Sequence, residues 1–150
     1  MSKIKIYCER PIKINKKKLN ELVKLISLSL KAQVVDVEFN FVNSASIHDI
    51  NRNYLNHDYS TDIITFNYST ESHNLAAEIF ISVEDALFNS KKFVNSLDNE
   101  VLRLVVHGIL HLVGYDDMSA EKRRVMKRIE NKLVKEYNSI AAGIVEKYEY

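Results

Sequence analysis

The chain has 150 residues, of which 46% are hydrophobic and 27% charged, and its formal net charge is +1. Such a length holds one substantial core but not two ordinary domains, and such a composition excludes a disordered chain. The small net charge does not indicate a nucleic-acid binder, so any contact with a phosphate backbone would require locally clustered basic residues.

The predicted elements mix strands and helices in one domain over 1–150. β-branched and aromatic runs indicate the strands, and apolar residues at helical spacing after Asn15, Ser82 and Ser119 indicate helices. In chain order we predict a strand over 3–8, a helix over 16–31, a strand over 35–41, a helix over 47–54, a turn over 56–60, strands over 62–66 and 77–82, and helices from 83, from 98 or 99 to 114, and from 120 to about 139. This order is typical of an α+β domain whose sheet packs against helices.

The same spacing predicts which side chains are buried. The strand over 35–41 alternates Val35, Val37, Phe39 and Phe41 with polar residues; the helix from 83 continues its apolar pattern through Ala86, Leu87 and Phe93; and the last helix should bury Val125, Met126, Ile129 and Leu133. Cys8 is expected to be a buried strand thiol, because free cysteines are usually buried.

The N-terminus and the cysteine usage predict a cytoplasmic location. Residues 1–11 alternate polar and apolar side chains and contain no signal-peptide core, and no later stretch approaches a membrane span. The chain contains one cysteine, which cannot form an internal disulfide. We therefore expect neither a membrane nor a disulfide partner.

Two histidines stand four residues apart in the apolar helix that ends near Gly114. This spacing puts His107 and His111 on one helix face about 5 to 6 Å apart, which suits two bonds to one metal ion. The alternative is a pair of core histidines with hydrogen-bonded nitrogens. Gly108 favours the metal, because a glycine inside a helix costs about 1 kcal/mol and a close substrate or packing element would explain it.

Gly114 is expected to end the helix, so that the chain folds back past the histidines. Asp116 and Asp117 then come within reach of an ion that already has two nitrogen ligands. Two histidines, a carboxylate and a water that the ion acidifies make a hydrolytic zinc site. A peptidase mechanism is disfavoured, because Gly108 occupies the position of the glutamate base in the common zinc peptidases.

At this segment the sequence resembles a known family. Residues 107–117 (HGILHLVGYDD) are similar to the signature H-G-x-L-H-L-x-G-Y-D-H of the YbeY endoribonucleases, also called rRNA maturation factors. The resemblance extends to Asn53-Tyr54 followed by Asp58, and to the segments 61–66 (TDIITF) and 77–82 (AEIFIS).

The resemblance implies a zincin-like domain with a mixed four-stranded sheet packed against helices. It also implies one zinc ion per chain, with His107, His111 and Asp117 as ligands, and single-strand-specific cleavage of RNA. In the family this activity serves maturation of the small-subunit rRNA 3′ end and quality control of ribosomes. The expected partners are therefore single-stranded rRNA and the small ribosomal subunit.

The third ligand departs from the family signature. Asp117 stands where the family has a histidine; a carboxylate also binds Zn²⁺, but it should leave the bound water less acidic. Asp116 is the competitor for this role, and its alternative is a turn residue that hydrogen-bonds the backbone.

Leu55 is a second departure, because the family usually has an arginine there, which would be the natural partner of a scissile phosphate. Arg52 and His57 are the candidates to replace it, although His57 also fits an ordinary loop residue. No protein base is identified, so the predicted catalytic group is the metal-bound water.

Basic residues recur along one face of the last helix. Arg124, Arg128 and Lys132 could follow a phosphate backbone, and the alternative is a solvated helix face. Three functions remain open: a zinc-dependent endoribonuclease, a non-catalytic metal-stabilised ribosome assembly or RNA-binding factor, and a metal-dependent hydrolase of a small phosphoester or amide.

Overall fold

The structure is a computed structural model that describes residues 2–57 and 61–148. Residues 58–60, with Asp58 of the family motif and most of the predicted turn, lie outside the described residues. The strands are β1 (Lys3–Cys8), β2 (Lys13–Ile14), β3 (Gln33–Val42), β4 (Ile63–Asn67), β5 (Asn74–Ser82) and β6 (Val145–Lys147). The helices are α1 (Lys16–Ser29), α2 (Ser44–Leu55), α3 (Val83–Lys92), α4 (Leu97–Leu112) and α5 (Ala120–Ala141).

The main sheet has four strands in the order β1-β3-β5-β4. β3 pairs in parallel with β1 and β5, whereas β4 pairs with β5 in the antiparallel direction. The predicted mixed four-stranded sheet and α+β class are therefore confirmed. A separate antiparallel pair joins β2 to β6, and the assignment of 1–150 to a single domain stays a prediction.

Side-chain oxygens cap the helices at the positions that the sequence predicts. Asn15 accepts from Lys18 N, Ser82 from Asp85 N and Ser119 from Lys122 N. These bonds satisfy backbone donors that have no partner within the helix. The helix that carries the histidines begins at Leu97 behind Ser96, slightly earlier than predicted.

α4 is the central helix of the core, where it contacts β4, β5, α1, α3 and α5. Gly108 faces the sheet: a Cβ there would lie 3.3 Å from the Cδ1 atoms of Ile63 and Ile79. Close packing of α4 against the strands therefore explains why this position is a glycine. Of the two explanations that the sequence left open, a substrate or a packing element, the structure shows the packing element.

Several burial predictions need correction. Val35 is 44% exposed, because an irregularity in the β3–β5 register between Val34 and Asp36 turns Val34 into the core instead. Phe93 is 60% exposed, because it follows the last turn of α3. Cys8 is only half-buried and packs at the edge of the core.

The buried stripe of α5 also differs from the prediction. Met126 and Leu133 are buried, but Val125 and Ile129 are only half-buried. The buried positions on this helix include a charged residue, Glu130. Within the described part of the chain, no helix is long and apolar enough to cross a bilayer.

Candidate metal centre

The end of α4 turns the chain back toward the histidines. Gly114 has φ +107°, a conformation that side chains disfavour, and the Tyr115 amide donates to the Leu110 carbonyl at 3.0 Å. Asp116 then makes a turn in which its Oδ1 accepts from the Met118 amide at 2.9 Å. That hydrogen bond lowers the pKa of Asp116 and gives this residue the turn role that was its alternative.

The turn brings Asp117 to the two histidines. The Nε2 atoms of His107 and His111 are 3.0 Å apart, and one ligand atom from each of the three residues lies within 4.8 Å of the others. Two nitrogens bound tetrahedrally to one Zn²⁺ would be about 3.3 Å apart, so the histidine pair already has almost the required separation. The donor set of two imidazoles and one carboxylate fits a divalent metal ion.

Glu130 of α5 holds His107 from the opposite side of its ring. It is 4% exposed, and its Oε1 lies 2.7 Å from His107 Nδ1. Burial alone would raise the pKa of Glu130, but hydrogen bonds from His107, Arg103 and Lys127 lower it to about 2. An ionised carboxylate only accepts, so Nδ1 of His107 is the donor and Nε2 keeps its lone pair for a metal.

The environment of His111 also favours the form of the imidazole that can bind a metal ion. Burial, and then the charge of His107, lower the pKa of His111 below its ordinary value. The neutral imidazole, which is the form that binds metals, is therefore favoured near neutral pH.

In the described part of the chain, His107 lies in the walls of at least three cavities. The amide cavity, of 470 Å³, lies between α3, α4 and α5 and includes Asn89, Asn95 and Asn131. The basic cavity, of 560 Å³, includes Asp117, Arg123, Arg124 and Lys127. The strand cavity, of 450 Å³, includes Thr65, Asn67 and His111. Together they surround the candidate metal centre with space for a substrate much larger than a single phosphate.

Among the predicted RNA-binding residues, the structure brings only Arg124 into these walls. Arg128 and Lys132 are exposed on α5 but line none of the three cavities. Lys127 lies closer to the centre than either, since its Nζ is 3.1 Å from Glu130 Oε2. The basic residues at the site are therefore Arg103, Arg123, Arg124 and Lys127.

The candidates to replace the family arginine lie elsewhere on the surface. Arg52 pairs with Asp49 at 2.6 Å on α2, and Leu55 ends that helix with 39% of its surface exposed. Neither Arg52 nor His57 lines any of the three cavities, so a catalytic role for either stays a prediction.

Sequence reasoning missed Glu130, Arg103, Asp62 and Glu100. Arg103 stands four residues before His107, so its place on the metal face was readable from helical spacing. Glu130 was detectable as a charged residue between Met126 and Leu133 in an apolar stripe. Asp62, which is half-buried, and Glu100, which is buried, both line the amide cavity, and desolvation raises the pKa of each.

These features define a class of protein: a small α+β chain with a candidate metal centre built from one helix and the turn that follows it. The family model described as Endoribonuclease YbeY matches residues 3–138, and the chain belongs to this family. The resemblance drawn from residues 107–117 is therefore confirmed.

Named relatives and a solved structure agree with this assignment. The chain is 37% identical to Endoribonuclease YbeY of Bacteroides fragilis over 119 residues, which cover 79% of this chain and 85% of the relative. It is 33% identical to that of Chlorobium phaeovibrioides over 118 residues, 79% of each chain. The solution structure of TM1509 from Thermotoga maritima is 26% identical with a TM-score of 0.65, over 98% of this chain and 97% of the other.

Proposed function

We propose that this chain is a Zn²⁺-dependent endoribonuclease that cuts single-stranded RNA, with His107, His111 and Asp117 as the metal ligands. The observation that carries the proposal is the convergence of these three side chains within 4.8 Å, next to three cavities that share His107. The relatives named as endoribonucleases support RNA as the substrate.

A divalent ion in this position would supply Lewis acidity toward a phosphodiester and lower the pKa of a water molecule. The chain's own residues provide the rest. Glu130 keeps His107 in the tautomer whose Nε2 can bind a metal. Arg123, Arg124 and Lys127 line the basic cavity and offset the charge of a phosphate backbone that passes the centre.

The proposed cellular role is cytoplasmic maturation of the 3′ end of small-subunit rRNA, together with quality control of ribosomes. Family membership supports this role, and small-subunit rRNA in its single-stranded precursor form is the proposed partner. Because Leu55 stands where an arginine is usual in the family, a metal-stabilised assembly factor that binds RNA without cutting it is the second candidate.

The experiment that tests this proposal compares cleavage of a single-stranded RNA and of the same RNA in a duplex. We expect the zinc-loaded chain to cut the single strand, and His111→Ala to lower the rate by about 100-fold or more. His73→Ala is the matched control, because His73 is exposed in the turn before β5. Equal cleavage by His111→Ala would contradict the proposal, and RNA binding by a metal-loaded wild type without cleavage would favour the assembly factor.

A further inference from the structure

We propose that the amide cavity is a nucleobase subsite, which takes up one base of the RNA strand beside the cleavage site. The inference rests on the proposed function and adds a binding site to it. It is carried by a carboxyl group of low exposure that lines the cavity, an exposed aromatic ring and several side-chain amides, all next to His107.

The buried carboxylate is Glu100 of α4. It is 5% exposed, and its nearest described partner is Arg103 Nε at 4.0 Å, which is too far for a hydrogen bond. A carboxylate with so little exposed surface is poorly hydrated, so a ligand that brings N–H donors into the cavity would be stabilised beside it. Asp62 stands in the same wall, where it accepts from Asn89 Nδ2 at 3.2 Å.

A second metal ion is a poor occupant of the amide cavity. In the described part of the chain, the residues that could hold an ion are His107, His111 and Asp117, and neither Glu100 nor Asp62 belongs to that group. The cations of Arg103 and Lys127, which also line this cavity, would repel a further metal ion.

A phosphate group alone is also a poor occupant of the cavity, because Glu100 and Asp62 in its wall would repel it. Arg103 and Lys127 bring two cations to the same cavity: Arg103 Nη1 is 2.7 Å and Lys127 Nζ 3.1 Å from Glu130, which contacts His107. A nucleotide suits this mixture of charges, because its phosphate can pair with the cations beside Glu130 and its neutral base is not repelled by the carboxylates.

The remaining wall has the chemistry that proteins use for unpaired bases. Phe93 is 60% exposed and offers a ring for stacking. Asn95 carries an amide donor and acceptor, and Asn89 and Asn131 each keep one polar amide atom besides the one bonded to Asp62 or to Arg103, which suits the edge of a base. The volume of 470 Å³ lies in the usual range for small-molecule sites.

The two carboxylates predict which base is preferred. Carboxylate oxygens only accept, and guanine presents two adjacent donors, N1–H and the N2 amino group, whereas uracil presents one N–H. We therefore expect a guanine preference, and we expect Glu100→Gln to weaken it, because the amide replaces one acceptor by a donor.

The test measures binding of guanosine 5′-monophosphate, uridine 5′-monophosphate and ribose 5-phosphate to the purified, zinc-loaded chain by calorimetry. All three ligands carry the same phosphate, so the differences report the base. The wild type should bind the guanosine nucleotide about tenfold more tightly than ribose 5-phosphate, and Phe93→Leu should remove most of that difference. Phe88→Leu, which changes an exposed ring on α3, the helix that Phe93 follows, is the control and should behave as the wild type.

Equal affinity for the guanosine nucleotide and ribose 5-phosphate would overturn the subsite, as would a base preference unchanged by both Phe93→Leu and Glu100→Gln. This readout needs no cleavage, so it separates the two proposals. If the chain shows the base preference but does not cut RNA, the subsite stands and the proposed function is contradicted. If an abasic ribose is placed at each position of the RNA in turn and the cleavage rate never changes, the proposed function stands and the subsite is contradicted.

Discussion

The two halves of the candidate metal centre are built in different ways. His107 and His111 project from the buried helix α4, and Glu130 fixes the ring of His107 from a second helix at 2.7 Å. Asp117 lies in the turn after α4, where its side chain is exposed and its backbone carbonyl accepts from Arg123 at 3.1 Å. The helix half is held in place by protein contacts alone, whereas the turn half has fewer contacts to hold it.

This difference indicates which ligands should contribute most of the free energy of metal binding. Ligands whose orientation is fixed by packing and hydrogen bonds lose little conformational entropy on binding. A ligand on an exposed turn must be ordered by the ion itself. The two histidines should therefore dominate metal affinity, and the carboxylate should add to an already formed pair.

The largest expected effect comes from removing one ligand from each half. His111→Ala should lower zinc affinity by roughly 1000-fold, and Asp117→Ala should lower it by a smaller factor of about 100-fold. Competition with a chromogenic chelator measures both affinities. A larger loss of zinc affinity in Asp117→Ala than in His111→Ala would contradict this expectation, because the turn ligand would then contribute more to metal binding than the histidine.

The next effect concerns the contact that preorganises the helix half. Glu130→Gln removes the charge that accepts from His107 Nδ1, so zinc affinity should fall by about 10- to 100-fold. Glu136→Gln, at an exposed position on the same helix, provides the control. Unchanged affinity in Glu130→Gln would mean that the buried carboxylate serves only the docking of α5 on α4.

The smallest effect concerns the stability cost of the amide cavity. Burial raises the pKa of Glu100, so the folded state binds this proton more tightly than the unfolded state does. The cost is absent below the unfolded pKa and develops as pH rises through the folded pKa. Glu100→Gln should therefore raise Tm by a few degrees at about pH 8 and leave it almost unchanged at about pH 4.

Thermal unfolding followed by circular dichroism checks this prediction at both pH values. A Glu100→Gln variant that unfolds at a lower temperature at the higher pH would show that the carboxylate stabilises the fold. The expected outcome, a more stable variant with a weaker guanine preference, would instead indicate that the charge serves ligand binding.

The parts of the site that lie close together in the sequence were predictable from it. His107 and His111 share one helix face because of their spacing, and Gly114 marks the turn that returns Asp117 to them. Glu130 was not identified, because its contact with His107 joins residues 23 positions apart and depends on how α5 packs on α4.

The same distinction holds for the fold. The strands and capped helices follow from local patterns, and most of their bounds agree within a few residues. Val35 was assigned to the wrong face because the irregularity in β3 depends on pairing with β5, about 40 residues later in the chain. The amide cavity likewise combines residues from β4, α3, α4 and α5, which no local pattern connects.

The most direct test of the central claim is the metal content of the purified chain, measured by elemental analysis beside His111→Ala and Glu130→Gln. The account predicts about one zinc per wild-type chain, none in His111→Ala, and a reduced content in Glu130→Gln that added zinc restores. A folded wild type that neither contains nor binds zinc would contradict the account and leave His107 and His111 as a hydrogen-bonded pair in the helix.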